Sequence, residues 1–290
     1  MLGILLHGLA GLLYALLALH FWHTRWNLRV PAGNLPQPAP GGMLAWERAA
    51  MLVPFALHSW VLYADLIAPA EMRFGFGQAL SVMLWMGVLL YWVESLFFNL
   101  DGMQPLVLPL AALAAPLPAL FPGIATSARV AAFEFRLHLI LGMLAYSVFT
   151  IAMLHAVLMA IVERRLHRVH DPGGRGAARS LSGPLSSLPP LLTLERLLFR
   201  LIGAAFILLT LTLASGMLFS ETLFGRAFRL DHKTLFAILS WFTFAVLLGG
   251  RTLRGWRGRT ALRWTLSGFA LLMLAYVGSR FVMEVVLGRG

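Results

Sequence analysis

The sequence has no cysteine and little charge, and both absences restrict what the protein can be. Disulfides, thiol relays and thiolate metal sites are excluded, so a bound metal would need His, Met, Tyr or carboxylate ligands. Charged residues make up only 12% of the 290 residues, whereas hydrophobic residues make up 59%. This composition is not that of a water-soluble domain and indicates a membrane protein.

Common catalytic motifs are absent too. The sequence has no GxSxG, Walker A, HExxH or glycine-rich dinucleotide motif. It also lacks the repeated strand-like alternation of a membrane β-barrel. Function must therefore be sought in the polar residues that a helical membrane protein retains.

The hydrophobic residues form runs of roughly 20, the length that crosses about 30 Å of hydrocarbon. They predict an all-α, polytopic membrane protein with about eight transmembrane helices. The predicted spans are Leu2–Phe21, Trp46–Ile67, Phe76–Phe97, Met103–Phe121, Val130–Val162, Leu197–Phe219, Thr234–Gly249 and Trp264–Leu287.

The arginines predict the topology. They cluster in three connections that lie on one side of the membrane if the chain crosses eight times. The positive-inside rule makes that side cytoplasmic and leaves both termini extracytoplasmic. The net charge of +11 then reflects topological anchoring and no nucleic-acid partner. The clusters are Arg25 and Arg29; Arg164, Arg165, Arg168, Arg175 and Arg179; and Arg251, Arg254, Arg257, Arg259 and Arg263.

The chain is predicted to form a single membrane domain over residues 1–290. Residues 1–129 form its N-terminal helices and residues 130–290 its core. The Gly-, Ser-, Pro- and Arg-rich segment 171–190 is predicted to be a cytoplasmic linker. The fourth span contains four prolines and is predicted to be kinked.

Two histidines are predicted to lie on the extracytoplasmic side. His138 falls near the outer end of the fifth span and His232 at the outer start of the seventh. Two neutral imidazoles from neighbouring helices can serve as the axial ligands of haem iron. Alternatively, His138 is an interfacial residue and His232 a residue at a helix start.

A second site can be assembled deeper in the membrane. His58 and His155 lie within spans and can combine with other polar residues near the inner ends of helices. The alternative is that each is an isolated polar residue with a hydrogen bond inside the bundle. The inner partners considered are His20, His23 and Glu94, whereas His7, His167 and His170 are predicted to be interface or loop residues.

The connection before the seventh span holds charged and aromatic residues. Asp231 is predicted to cap the helix that follows it. Arg226 and Arg229 can clamp an anionic group such as a haem propionate, or belong to a solvated loop. Phe224 and Phe228 can wall a flat macrocycle, or face lipid or the core.

A family resemblance lies in this region, in SGMLFSETLFGRAFRLDHKTLFAILSW. The stretch resembles the tryptophan-rich signature of the cytochrome c assembly family, in which Ser-Gly ends one helix and Asp-Pro-Lys opens the next. The segment FRLHLILGMLAYS is similar to the family segment that carries a haem-ligating histidine, which implies that role for His138. The tail WRGRTALRWTLSGFALLMLAYVGSRFV is most similar to the YpjD-like inner-membrane members. The matching signature positions are Ser215, Gly216, Gly225, Asp231, Lys233, Ala237 and Trp241.

Several signature positions differ. His232 stands in place of the proline, and Gly249 and Leu287 stand where the family has two further histidines. The resemblance therefore implies a bacterial inner-membrane protein that binds haem, as haem b, and handles or senses it, without attaching it covalently to a cytochrome. The implied partners are cytochrome c maturation components or other membrane proteins. The residues that replace the signature tryptophans are Phe224, Ala227, Phe228 and Leu230.

Two other functions stay open at this point. The protein can be a membrane scaffold that binds no haem and regulates a neighbouring enzyme or transporter. It can also be a small-solute transporter that uses Asp65 and Glu94 as coupling groups.

Overall fold

The structure is a computed structural model that describes residues 1–26, 43–69, 72–100, 102–125, 133–169, 190–224 and 231–288, without the side chains of 125, 165–169 and 219–224. The segment 171–189 of the predicted linker lies outside the described residues. The helices are α1 (Leu2–Phe21), α2 (Ala45–Leu66), α3 (Phe76–Phe97), α4 (Gln104–Ala114), α5 (Leu117–Leu120), α6 (Phe133–Val169), α7 (Leu191–Phe224), α8 (His232–Arg254) and α9 (Gly258–Met273).

The all-α, polytopic fold is confirmed. Among the described residues, seven helices are long and apolar enough to cross a membrane. α1 continues as a π-helical turn, Trp22–Trp26. α9 continues through two π-helical segments, Leu274–Gly278 and Val282–Val286, to the end of the last span.

The fourth predicted span is shorter and is broken. It consists of α4 and the single turn α5, which together cover 17 residues, Gln104–Leu120. The break follows from Pro116 and Pro118, which have no backbone N–H to continue the helix. The segment nevertheless returns the chain to the level at which α3 begins, because the ring of Phe121 lies 4.7 Å from that of Phe76.

A two-residue ladder closes this end of the first four spans. β1 (Arg73–Phe74) pairs antiparallel with β2 (Ile124–Ala125), with Arg73 opposite Ala125. The two strands precede α3 and follow α5, so they hold the ends of neighbouring spans at one level. They are the only strands among the described residues.

The core is organised around α6. In its most apolar stretch 67% of the residues are buried, against 39% or less in every other span. α6 packs against α3, α7 and α9, and the ring of its Phe149 stacks on Phe244 of α8 at 4.0 Å. A helix that contacts so many others is shielded from lipid along most of its length, which explains its burial.

The bundle has two chemically different ends. We call the end that carries Arg25, Arg48, Arg251, Arg257 and Arg259 the arginine-rich face. The other end, where α3, α6 and α8 begin and α7 ends, is called the distal face. That the arginine-rich face is cytoplasmic, and that both termini are extracytoplasmic, remain predictions from the arginine distribution.

Candidate functional site

His138 lies in α6 near the distal face, and its ring is held by α7. Its Nδ1 is 2.9 Å from the hydroxyl oxygen of Ser215. That hydroxyl donates its own proton to the carbonyl of Thr212 at 2.9 Å, so it accepts from His138. The proton of the neutral imidazole therefore lies on Nδ1, and the lone pair of Nε2 remains available to a ligand or metal.

A glycine makes room for this ring. Gly216 lies beneath His138, and a Cβ at that position would be only 3.2 Å from Cε1 of the imidazole. A side chain there would require the ring to shift by a few tenths of an ångström. The adjacent pair Ser215-Gly216 thus orients the histidine and lets it approach the α7 backbone, which gives these two residues a physical role.

Asp231 and His232 open α8 on the same face. The predicted cap is confirmed, because the carboxylate of Asp231 accepts from the backbone N–H of Thr234 at 2.9 Å. Partial burial raises the pKa of Asp231, but its hydrogen bonds from Thr234 outweigh that effect and hold the pKa below its usual value. Asp231 is therefore a carboxylate at neutral pH and stabilises the start of the helix.

The two predicted axial ligands have different surroundings. His138 is partly buried against α7, whereas His232 is exposed at the first position of α8. Among the described residues, no hydrogen bond or ring contact joins the two imidazoles. Their pairing on one iron atom stays a prediction.

The other predicted residues of this site are not described by the structure. Phe224 is the last residue of α7, but its side chain lies outside the described set. Arg226, Phe228 and Arg229 lie outside the described residues altogether. Their roles as an aromatic wall and a propionate clamp therefore stay predictions.

A charged cluster on the distal face was missed by the sequence analysis. A carboxylate oxygen of Glu284, in the last span, accepts from the backbone N–H of Phe76 at 3.2 Å and so caps α3. The guanidinium of Arg280 lies 3.7 Å from the other oxygen and 5.9 Å from the ring centroid of Tyr276. The sequence signal for this ion pair is the spacing of Arg280 and Glu284, which are four residues apart in the last span.

The two histidines of the predicted second site, His58 and His155, have separate surroundings. His58 is fully buried, bonds through Nε2 to the Ser81 hydroxyl at 2.8 Å and meets the ring of Tyr14 edge-on. His155 is also fully buried; its Nδ1 donates to the carbonyl of Ile151 at 3.0 Å. Each histidine thus has its own hydrogen-bond partner.

One predicted inner pairing is present. The Nε2 atom of His155 lies 3.7 Å from a carboxylate oxygen of Glu94. His20 instead bonds to Glu47 at 3.1 Å, and His23 is exposed. No group of three or more His, Cys, Asp or Glu that could hold a metal ion occurs among the described residues. A second haem site at His58 or His155 stays a prediction.

The prediction that His7 is an interface residue was wrong. His7 is only 2% exposed and is bonded through Nε2 to Asp65 at 2.8 Å. Its Nδ1 donates to the carbonyl of Ala115 at 2.8 Å. That carbonyl is free because its helical partner, the N–H of Ala119, bonds to Pro116 instead. The proline break in the fourth span therefore creates the acceptor that holds His7.

Comparison with known proteins assigns the chain to a family. The profile of the family described as cytochrome C assembly protein matches residues 46–287. The chain belongs to this family. It is 32% identical over 149 residues to the inner membrane protein YpjD of Escherichia coli K12, which is 51% of this chain and 52% of that protein. It is 30% identical over 125 residues to the cytochrome c biogenesis protein CcsA of Synechococcus elongatus, which is 41% of this chain and 37% of that protein.

These matches confirm the resemblance to YpjD-like members of the cytochrome c assembly family. A third relative, an uncharacterized 28.8 kDa protein of Azospirillum brasilense, is 36% identical over 155 residues, or 52% of either chain. The matches cover about half or less of each relative's length. No solved structure is significantly similar to this chain. The family match begins in α2, so α1 and its His7 lie outside it.

Proposed function

We propose that this member of the cytochrome c assembly family is a multi-pass protein of the bacterial inner membrane that binds haem at its distal face. It handles or senses haem in cytochrome c biogenesis and does not attach it covalently to a cytochrome. Its relatives YpjD, an inner membrane protein, and CcsA, a cytochrome c biogenesis protein, support this proposal. Cytochrome c maturation components are the proposed partners.

The orientation of His138 is the observation that carries the proposal. A histidine that binds a metal usually donates its second N–H to an oxygen, which fixes the tautomer and the ring plane. His138 makes that bond to Ser215 and leaves the Nε2 lone pair available. These residues fit an axial imidazole, and the axial ligand is what tunes the redox chemistry that haem supplies when bound.

The rest of the proposed site comes from the start of α8 and the connection before it. His232 is the proposed second axial ligand, and Asp231 fixes the helix start that carries it. Phe224 and Phe228 are proposed to pack against the macrocycle. Arg226 and Arg229 are proposed to bind the propionates of haem b.

The test is a haemin titration of the purified protein, followed by visible absorption spectroscopy. We expect a low-spin bis-histidine spectrum in the wild type and its loss in His138→Ala. His23→Ala is the matched control, because His23 is exposed at the arginine-rich face, and it should bind as the wild type does. A wild-type protein that takes up no haemin would contradict the proposal.

Removal of the Ser215 hydroxyl should weaken the site without removing the ligand. Without that acceptor the imidazole of His138 keeps only the carbonyl of Thr212 as a partner, so its orientation is less well fixed. In Ser215→Ala we expect a 10- to 100-fold loss of haem affinity, the usual effect of losing such a partner. The same titration measures it, and Ser215→Thr, which keeps the hydroxyl, should recover part of the affinity. An unchanged affinity in Ser215→Ala would show that the ring does not depend on this bond.

A further inference from the structure

A cavity of about 220 Å³ opens at the arginine-rich face, between α6, α7 and α9. Its walls are largely apolar, so it suits hydrocarbon better than a polar ligand. Since one water molecule occupies about 30 Å³, the cavity has room for a short length of alkyl chain. The apolar lining includes Ala156, Met159, Ala160, Leu198, Gly258 and Leu262.

The cavity has an exposed apolar residue at its edge. Leu192, which also lines it, is 58% exposed at the start of α7. An exposed leucine next to an apolar cavity is a surface that a hydrocarbon chain can cover.

Two carboxylates at the cavity are already neutralised by arginine. Glu195 is paired with Arg251 and lies 3.5 Å from the Nε atom of Arg257. Glu163 lies 3.5 Å from the Nε atom of Arg259. The side chains of Arg257 and Arg259 remain 61% and 71% exposed, so most of each guanidinium is available to a second anion.

The two arginines flank the start of α9. They stand on either side of Gly258, which lines the cavity, and the N-cap position Arg257 makes no side-chain capping bond. The first N–H groups of α9 therefore add positive potential at the cavity mouth. These groups and the two guanidiniums suit the phosphate of a lipid whose chain lies in the cavity.

Two tryptophans near the start of α9 favour a position at the level of the lipid headgroups. Trp256, in the α8–α9 turn, stacks on Trp264 of α9 at 5.4 Å. Tryptophans of membrane proteins concentrate at the boundary between hydrocarbon and headgroups. A phosphate held between Arg257 and Arg259 would thus be at its ordinary depth in the bilayer.

We propose that this cavity is a binding site for an anionic phospholipid. One acyl chain lies between α6, α7 and α9, and the phosphate is bound by Arg257 and Arg259. General attraction of arginines to an anionic membrane needs no cavity and depends only on the number of charges. Lipid binding at a specific site depends instead on which arginines are present and on the space between the helices.

The experiment is native mass spectrometry of the full chain released from nanodiscs that contain equal amounts of phosphatidylglycerol and phosphatidylcholine. We expect phosphatidylglycerol to be retained selectively. The double variant Arg257→Gln/Arg259→Gln should lose most of that selectivity, because it removes both guanidiniums proposed to bind the phosphate. The matched control is Arg254→Gln/Arg263→Gln. It removes the same charge from two exposed arginines other than those that contact the lining carboxylates Glu195 and Glu163, and it should retain most of the selectivity.

Two further variants test the cavity itself. Ala160→Phe fills it from α6 and Leu262→Trp fills it from α9, and both should lose lipid retention while circular dichroism shows intact helices. Equal losses in the two double variants, or full retention in both filled variants, would overturn the proposal. Displacement of the lipid by inorganic phosphate would also overturn it. A wild-type dimer that is lost only in the filled variants would do the same, since a second copy of the chain would then occupy the cavity.

Discussion

A Gly216→Val protein is expected to take up no haemin, although its helices form as in the wild type. A Cβ at position 216 would already meet Cε1 of His138 at 3.2 Å, and valine adds two methyl groups in the same direction. The imidazole must then shift away from the α7 backbone, which we expect to break its bond to Ser215. The loss should match that of His138→Ala, because either change removes the oriented ligand.

Gly203→Val is the matched control for that experiment. Gly203 lies in the same helix, and nothing is within 4 Å of a Cβ built on it. Both variants place the same β-branched residue in α7, so they differ mainly in whether His138 is displaced. Haemin titration and circular dichroism should be run on both. Wild-type affinity in Gly216→Val would show that the haem ligand lies elsewhere.

The Glu47→Ala protein is expected to be the least stable of the variants described. Glu47 is 2% exposed at the arginine-rich face. Its carboxylate accepts from the guanidinium of Arg25 at 2.7 Å, from His20 at 3.1 Å and from the backbone N–H of Leu44 at 2.8 Å. Its removal leaves a poorly solvated arginine without this counterion, and breaking a buried pair in this way costs about 3–5 kcal/mol.

Reversible unfolding of the purified protein in sodium dodecyl sulfate would measure that loss. Glu163→Ala is the control, because the side chain of its partner Arg259 is 71% exposed and the pair should contribute about 0–1 kcal/mol. Glu47→Gln keeps an acceptor and should fall between the two. Equal stability of Glu47→Ala and Glu163→Ala would show that burial of the first pair contributes nothing.

Hydropathy predicted the crossings well because a bilayer imposes one length on each of them. The bounds of α1 and α3 coincide with the predicted spans Leu2–Phe21 and Phe76–Phe97. α6 continues past the end of its predicted span, and α7 extends beyond both ends of its own, because a helix can continue into the polar region where hydropathy no longer marks it. The kink of the fourth span was predicted from its prolines, but its division into two helices was not.

Features of the candidate site could be predicted only where they depend on residues close together in the sequence. Asp231 was recognised as a cap because a cap depends on the few residues that follow it. The contact between His138 and Ser215 joins residues 77 positions apart and required the packing of α6 on α7. The environment of His7 was missed for the same reason, since its partners come from α2 and from the proline break.

The proline break also makes the fourth predicted span depend on the first crossing. The carbonyl of Ala115 is bonded to the side chain of His7 on the first crossing, and Gly11 allows that crossing to approach the carbonyl of Ala112. In hydrocarbon an unpaired carbonyl costs several kcal/mol, so the broken segment is poorly suited to insertion alone. The first crossing therefore supplies, through His7, the hydrogen bond that the broken segment cannot make within itself.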